Sequence, residues 1–313
     1  MKRLETLCIA GAVAVLAVSC GKEEAVREDG ASKVGFTAAE LQVKTVFGEK
    51  ADGEYPVLWT SNEKVALFYN SQTGGQTGGG QYADVLPSAD GHTAGFSASF
   101  TDDGNGSHSF YAMSPLSALN WMGNEDWDGN GVNEKILYAN IPHDQIPVPG
   151  TCDEKAQIVF AKEEFSEFPD KVDLTFSHMT AYGLITSLSL PEEATEIVGL
   201  TIESDKFLSG EIYCNYNTPE TILCNAKKAQ KYIYLDVNNG GLKAKTLENV
   251  FFACTPQTDG NDVFGEGDYL KFTVYTDTDT WVKTVNFSAD RTLAFKAGRI
   301  SSFSVSAHGF EKQ

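Results

Sequence analysis

Apolar and polar residues alternate along most of this chain in short runs, and glycine, proline, asparagine or aspartate ends each run. In VGFTAAELQV (34–43), Val34, Phe36 and Ala38 stand at every second position, the period of a strand with one buried face. VLW and KVALFY flank the polar turn TSNE, and AGFSASF, SHSFYAMS, KILYANIP and AQIVFAKEE follow as further strands. Beyond them run VDLTFSHMTAYGLITSLSL, EIVGLTIES, GEIYCNY, KYIYLDV, NVFFACTP, YLKFTVYTD, WVKTVNF and ISSFSVSA, at the close spacing of a sandwich. No stretch has the spacing of a long amphipathic helix. A parallel α/β sheet, which needs helical crossovers of about a dozen residues or more, is therefore excluded. The pattern predicts an all-β protein of two tandem antiparallel β-sandwich domains, 34–168 and 169–313. The proline- and charge-bearing EFSEFPDK (164–171) is the expected link.

The first residues follow a different pattern. Lys2 and Arg3 precede an apolar run from Leu7 to Val18. That run is shorter than the roughly 20 residues a membrane-spanning helix needs, and matches the core of a secretory signal. Residues 1–19 are thus expected to be a signal peptide. LAVSC resembles the lipobox of bacterial lipoproteins, which implies cleavage before Cys20 and its acylation. Several acyl chains, at about 0.8 kcal/mol per buried methylene, would hold the protein on the outer membrane. Lys22, Glu23 and Glu24 behind that cysteine resemble the surface-export signal of Bacteroidetes lipoproteins. Residues 20–33 read as a lipidated tether.

Charge narrows the partners. With 24 basic and 43 acidic residues the chain carries −19, and no basic stripe is present to neutralise phosphates. This argues against nucleic acid and against adsorption to an anionic membrane surface. The glycine-rich stretch 70–82 lacks the Lys-Ser/Thr end of a phosphate loop, the five histidines are scattered, and no G-x-S-x-G elbow occurs. No catalytic signature stands out, and the chain reads as a non-enzyme. One turn has metal-like spacing. Asp126, Asp128 and Asn130 alternate before Gly131, with Glu134 beyond, as in the first half of an EF-hand calcium loop. The position of the closing bidentate glutamate holds Leu137 instead, and an acidic hairpin turn explains the same residues. Calcium is the one cofactor the sequence suggests. After Cys20 come Cys152, Cys214, Cys224 and Cys254, in no zinc pattern. Cys214 and Cys224 flank an expected hairpin, where register decides between a disulfide and two free thiols.

Taken in order, several stretches resemble the fimbrillin family, the Mfa-like and FimA-like type V pilus lipoproteins of Bacteroidales. They are the lipobox, Phe36-Thr37-Ala38, KTVF (44–47), VLWTSNEKVALF (57–68), FYAMSP (110–115), VDLTFSHMTAYGLITSL (172–188) and LAFKAGRISSFSVS (293–306). The resemblance implies two transthyretin-like sandwiches and a role as a fimbrial shaft, tip or anchor subunit. It further implies removal of the N-terminal strand by a trypsin-like protease, so that a neighbouring subunit can insert its own strand. On this sequence the removed strand would be 34–43, with cleavage after Lys44. The donor would be the C-terminal strand, with Ile300, Phe303 and Val305 as anchors. Expected partners are other fimbrial subunits, the outer membrane and a host or bacterial surface ligand. A second reading is a glycan-binding surface lipoprotein of a polysaccharide-uptake system, with Trp121 and Trp127 placed for sugar stacking.

Overall fold

The computed structural model describes residues 31–38, 46–47, 57–61, 64–70, 74–75, 80–104, 106–126, 130–216, 218–219, 221–257, 263–290 and 292–313. Cys20, Lys22, Glu23, Glu24, Lys44, Trp127 and Asp128 lie outside these residues.

The principal strands of the first half are β1 (Ala31–Ala38), β2 (Lys64–Tyr69), β3 (Gln81–Asp84), β4 (Ala94–Thr101), β5 (His108–Ser114), β6 (Leu119–Glu125), β7 (Glu134–Ile141) and β8 (Val159–Phe165). The short β9 (Lys171–Leu174) and β10 (Phe176–His178) follow. The second half supplies β11 (Ala181–Ser189), β12 (Ile197–Ser204), β13 (Ser209–Asn215), β14 (Ile222–Gln230), β15 (Tyr232–Leu235) and β16 (Thr246–Cys254). It ends with β17 (Tyr269–Thr276), β18 (Thr280–Asn286), β19 (Ile300–Val305) and β20 (Glu311–Lys312). The chain is all-β and its strand pairs are mostly antiparallel.

Three sheets form one stack. An outer sheet, in the order β9-β1-β4, faces a middle sheet ordered β10-β8-β5-β2-β3, which faces a second outer sheet ordered β14-β13-β7-β6. The middle sheet is covered on both sides. Val65, Leu67, Tyr69, Phe110 and Ala112 point toward Val34, Phe36 and Phe96 of one neighbour. Ala66, Phe68, Tyr111 and Met113 point toward Met122, Leu137, Ile141 and Ile212 of the other. This explains a departure from the alternation read in SHSFYAMS. Every residue of β5 is buried, because a strand between two sheets needs apolar side chains at both parities.

The remaining strands form a second stack. β16-β11-β19 packs on β15-β12-β17-β18-β20 around Ile185, Leu200, Ile233, Phe252, Phe272 and Val305. Strand pairing crosses the expected 168/169 boundary. β13 from the second half runs antiparallel to β7, with Ile136 opposite Asn215 and Ile141 opposite Gly210. The β13–β14 hairpin lies between β12 and β15 in sequence but extends a sheet of the first stack. The 164–171 stretch joins β8 to β9 within that same stack. Inner-face positions Ile212, Cys214 and Ile222 of the hairpin bury against Phe68 and Tyr111. Apolar burial at about 25 cal/mol per Å² thus holds the hairpin in place.

Among the described residues, Cys152, Cys214, Cys224 and Cys254 are free thiols. Register decides the hairpin pair: Cys214 stands opposite Ile222 and Cys224 opposite Ile212. The two cysteines are diagonal neighbours, roughly 7–8 Å apart at Cα, beyond the usual disulfide span. Burial pushes the thiols of Cys152 and Cys254 well above their ordinary range. Both are expected to resist a thiol reagent in the native protein and to react when it is unfolded, which a timed absorbance assay in and out of denaturant checks.

Candidate functional site

The site that the topology singles out is the slot occupied by β1. This strand is bonded along both edges. Against β4 it is antiparallel along its whole length, from Ala31 opposite Thr101 to Ala38 opposite Ala94. Against β9 it is parallel, from Gly35 opposite Lys171 to Ala38 opposite Leu174. Both partners are distant in sequence, and the Gly35 N–H adds a 3.0 Å bond to the Asp170 carbonyl. The alternation of the sequence sets the inward face: Val34, Phe36 and Ala38 are all buried. Phe36 stacks on Phe96 at 5.8 Å and meets Phe100 and Phe110 edge-on at 6.2 and 5.7 Å. On the outward face the Thr37 hydroxyl donates to Asp173, which Lys171 also pairs at 2.7 Å. Those two contacts, the lysine first, hold the Asp173 carboxyl below its usual range.

At the C-terminal end of β1 a cleft of about 360 Å³ opens between Thr37, Ala38, Leu86, Pro87, Ala94 and Gly95. Leu86 is 69% exposed beside it. The second partner, Lys171–Leu174, lies beyond the 168/169 boundary that the sequence pattern predicts, yet pairs with β1 of the first half. VDLTF reads equally well as a strand of either unit, and nothing local tells which sheet it joins.

The structure places the C-terminal strand in this chain's own core. β19 runs parallel to β11 at the edge of its sheet, with Phe303 opposite Ile185 and Val305 opposite Leu188. Phe303 packs on Phe252 and Phe272 at 6.3 and 6.1 Å, and Val305 is buried beside them. Ile300, on the other parity, packs on the opposite face with Tyr182, Leu184 and Phe251. Beyond Val305 the chain crosses to the other sheet. Phe310 is buried under the Lys283 ammonium, 5.5 Å from the ring centre, and β20 pairs with β18.

Asp126 and Asn130 belong to the turn between β6 and β7, and Glu134 opens β7. One Asp126 carboxylate oxygen accepts the Gly131 N–H at 3.0 Å, and the Asn130 amide oxygen accepts the Val132 N–H at 2.7 Å. Glu134 stands opposite Glu125 across the two strands. Asp126 and Asn130 thus each accept a backbone N–H of the turn. Among the described residues, Asp102, Asp103 and His108 form a grouping with metal-like geometry. There the His108 ring is tied to the Tyr69 hydroxyl at 2.7 Å, and Asn70 donates to Asp103 at 2.5 Å. Trp121 is half-buried on β6. No helix among the described residues is long and apolar enough to cross a membrane.

No family model matches the chain, and no curated protein matches it. Solved structures do. A protein described as a candidate cell adhesion protein from Bacteroides uniformis superposes with a TM-score of 0.50 at 14% identity, over 91% of this chain and 97% of that one. This chain shares that protein's fold. A second, with the same description, from Bacteroides ovatus aligns over 92% and 96% of the two chains at 12% identity and a TM-score of 0.49. A fimbrial assembly protein from Parabacteroides distasonis aligns over 90% and 94% at 11% identity and a TM-score of 0.39.

Proposed function

We propose that this chain is a cell-surface adhesion protein that assembles as the shaft or tip subunit of a fimbria by strand exchange. It reaches the outer membrane as a lipoprotein anchored at Cys20, with Lys22, Glu23 and Glu24 as its export address. The observation that carries the reading is the position of β1, the strand nearest the N-terminus of those described. It is central in its sheet, yet only its C-terminal end needs to be cut for it to leave. Departure would unpair the edges of β4 and β9 and uncover the apolar slot around Phe96 and Phe110. Such a slot is open to another strand, which would satisfy both deficits by β-augmentation. The cleft past Ala38 offers that strand room for one further apolar side chain. The donor, near Ile300, Phe303 and Val305, would first have to leave the edge of its own sheet. Donor and acceptor surfaces differ, so the contact is head-to-tail and builds filaments.

Mild trypsin treatment of the surface-extracted protein is expected to yield a new N-terminus at Thr45, one residue beyond Lys44, together with an SDS-resistant ladder on gels. An N-terminus at Cys20 alone, with no ladder, overturns strand exchange while leaving a surface adhesion role untouched.

A further inference from the structure

The outer face of the β14-β13-β7-β6 sheet carries a pattern that sheet formation does not require. Three strands each place an aromatic residue at one register: Trp121 opposite Tyr138, and Tyr138 opposite Tyr213. Their ring centres lie 6.1 and 5.7 Å apart, so they form a continuous ladder across the strands. Beside it is an open groove of about 730 Å³, lined among others by Asn120, Asn124, Asn140 and Asn225. Asparagine is disfavoured in strands because its side chain competes for backbone hydrogen bonds. Four around one groove set local propensity against the fold, a conflict that marks functional surfaces.

The groove is organised from its floor. Glu211 is only 3% exposed, yet its carboxylate accepts from Asn120 Nδ2 at 2.7 Å, Asn225 Nδ2 at 2.7 Å and Lys228 Nζ at 3.0 Å. These charge-assisted bonds fix two amides and the lysine head in place. Asn225 is held further by accepting the Lys227 N–H at 3.2 Å. The side chains of Asn124 and Asn140 make no hydrogen bond with the described residues. They remain free to give and take hydrogen bonds from above, and an amide does both. Burial, then the bond to Glu125, pushes the Tyr138 phenol upward: its O–H is donated to the Glu125 carboxylate, and the ring is held in the ladder.

The geometry points to an uncharged oligosaccharide, built from hexose or N-acetylhexosamine units, as the ligand of this groove. The C–H face of a pyranose is apolar and slightly positive, and stacks on the electron-rich face of an aromatic ring. Its hydroxyls both donate and accept, as the amides above Glu211 do. Charge selects within the class: Glu125 and Glu211 outnumber Lys228 in the lining, which disfavours sialylated, sulfated or phosphorylated ligands. An extended peptide would seek a sheet edge, whereas this is a sheet face.

The purified protein, screened on an array of neutral and acidic glycans and then titrated calorimetrically, is expected to retain neutral glycans. Trp121→Ala is expected to weaken the best of them about tenfold or more. Asn140→Ala removes an exposed amide and should weaken it several-fold with no change in melting temperature. Retention of acidic glycans alone, of no glycan, or undiminished binding in Asn140→Ala overturns the assignment. The inference is independent of strand exchange. The oligomer ladder reads assembly, and Trp121→Ala and Asn140→Ala should leave it intact.

Discussion

Phe36→Ala is expected to destabilise the folded chain by about 3–5 kcal/mol, the cost of deleting a fully buried phenylalanine. The ring is 2% exposed and sits among Phe96, Phe100 and Phe110. Those neighbours belong to two facing sheets, and their backbones are bonded into ladders. They cannot collapse into the space left behind, so the loss should lie toward the upper end of that range. Urea titration of the purified variant measures the effect as a lowered midpoint at unchanged slope. A change below about 1 kcal/mol, the ordinary scale for a point mutation, would show that β1 is not integral to the stack. The same variant bears on assembly. A slot that relies on Phe36 while the strand is resident relies on an equivalent apolar side chain from an incoming strand. An aromatic or large aliphatic residue in the donor is therefore expected to confer the SDS resistance of the ladder.

The second large effect is expected at Gly210, where the chain turns into β13. Its φ is +97°, and a Cβ built there would lie 2.5 Å from the Lys228 carbonyl oxygen and 2.7 Å from the Ala229 Cα. The φ alone costs a non-glycine residue about 1–3 kcal/mol. The collision adds to this, because both obstructing atoms are backbone and belong to the paired strand β14. The register shifts between Gly210 and Ile212, which marks a bulge at this point. Gly210→Ala is therefore expected to lower the melting temperature and to loosen the β13–β14 hairpin, with new protease cuts between β13 and β14. Glu211 is the next residue, so the variant should also lose glycan retention. Native-like stability would show that the hairpin relaxes freely. That would undercut both the packing account and the organised floor of the groove.

Much of the fold was legible in the chain. Val34, Phe36 and Ala38 announce a one-faced strand because a pleat repeats every two residues, and β1 buries those three. The absence of long helical periodicity ruled out a parallel α/β sheet. KILYANIP and GEIYCNY were readable as strands, but not as partners. Pairing between strands some 70 residues apart depends on which apolar faces find each other, and local pattern does not encode that. The same limit hid β9 as the second neighbour of β1. It also hid the burial of β5 on both faces, since FYAM alternates in residue type without alternating in polarity. Trp121 was visible as a candidate for sugar stacking. Its alignment with Tyr138 and Tyr213 was not, because each comes from a different strand and register alone brings them into one ladder.

By itself, then, the sequence determined the strands, their inward faces, the acidic surface and the leader-like N-terminal pattern. Each of these is carried by residues within a few positions of one another. The tertiary structure decided that three sheets share one stack, that a hairpin of the second half completes a sheet of the first, and that β1 is held along both edges. It also decided that four asparagines and three aromatics gather around one groove. These follow from long-range register, set by the collective burial of apolar faces that are remote along the chain.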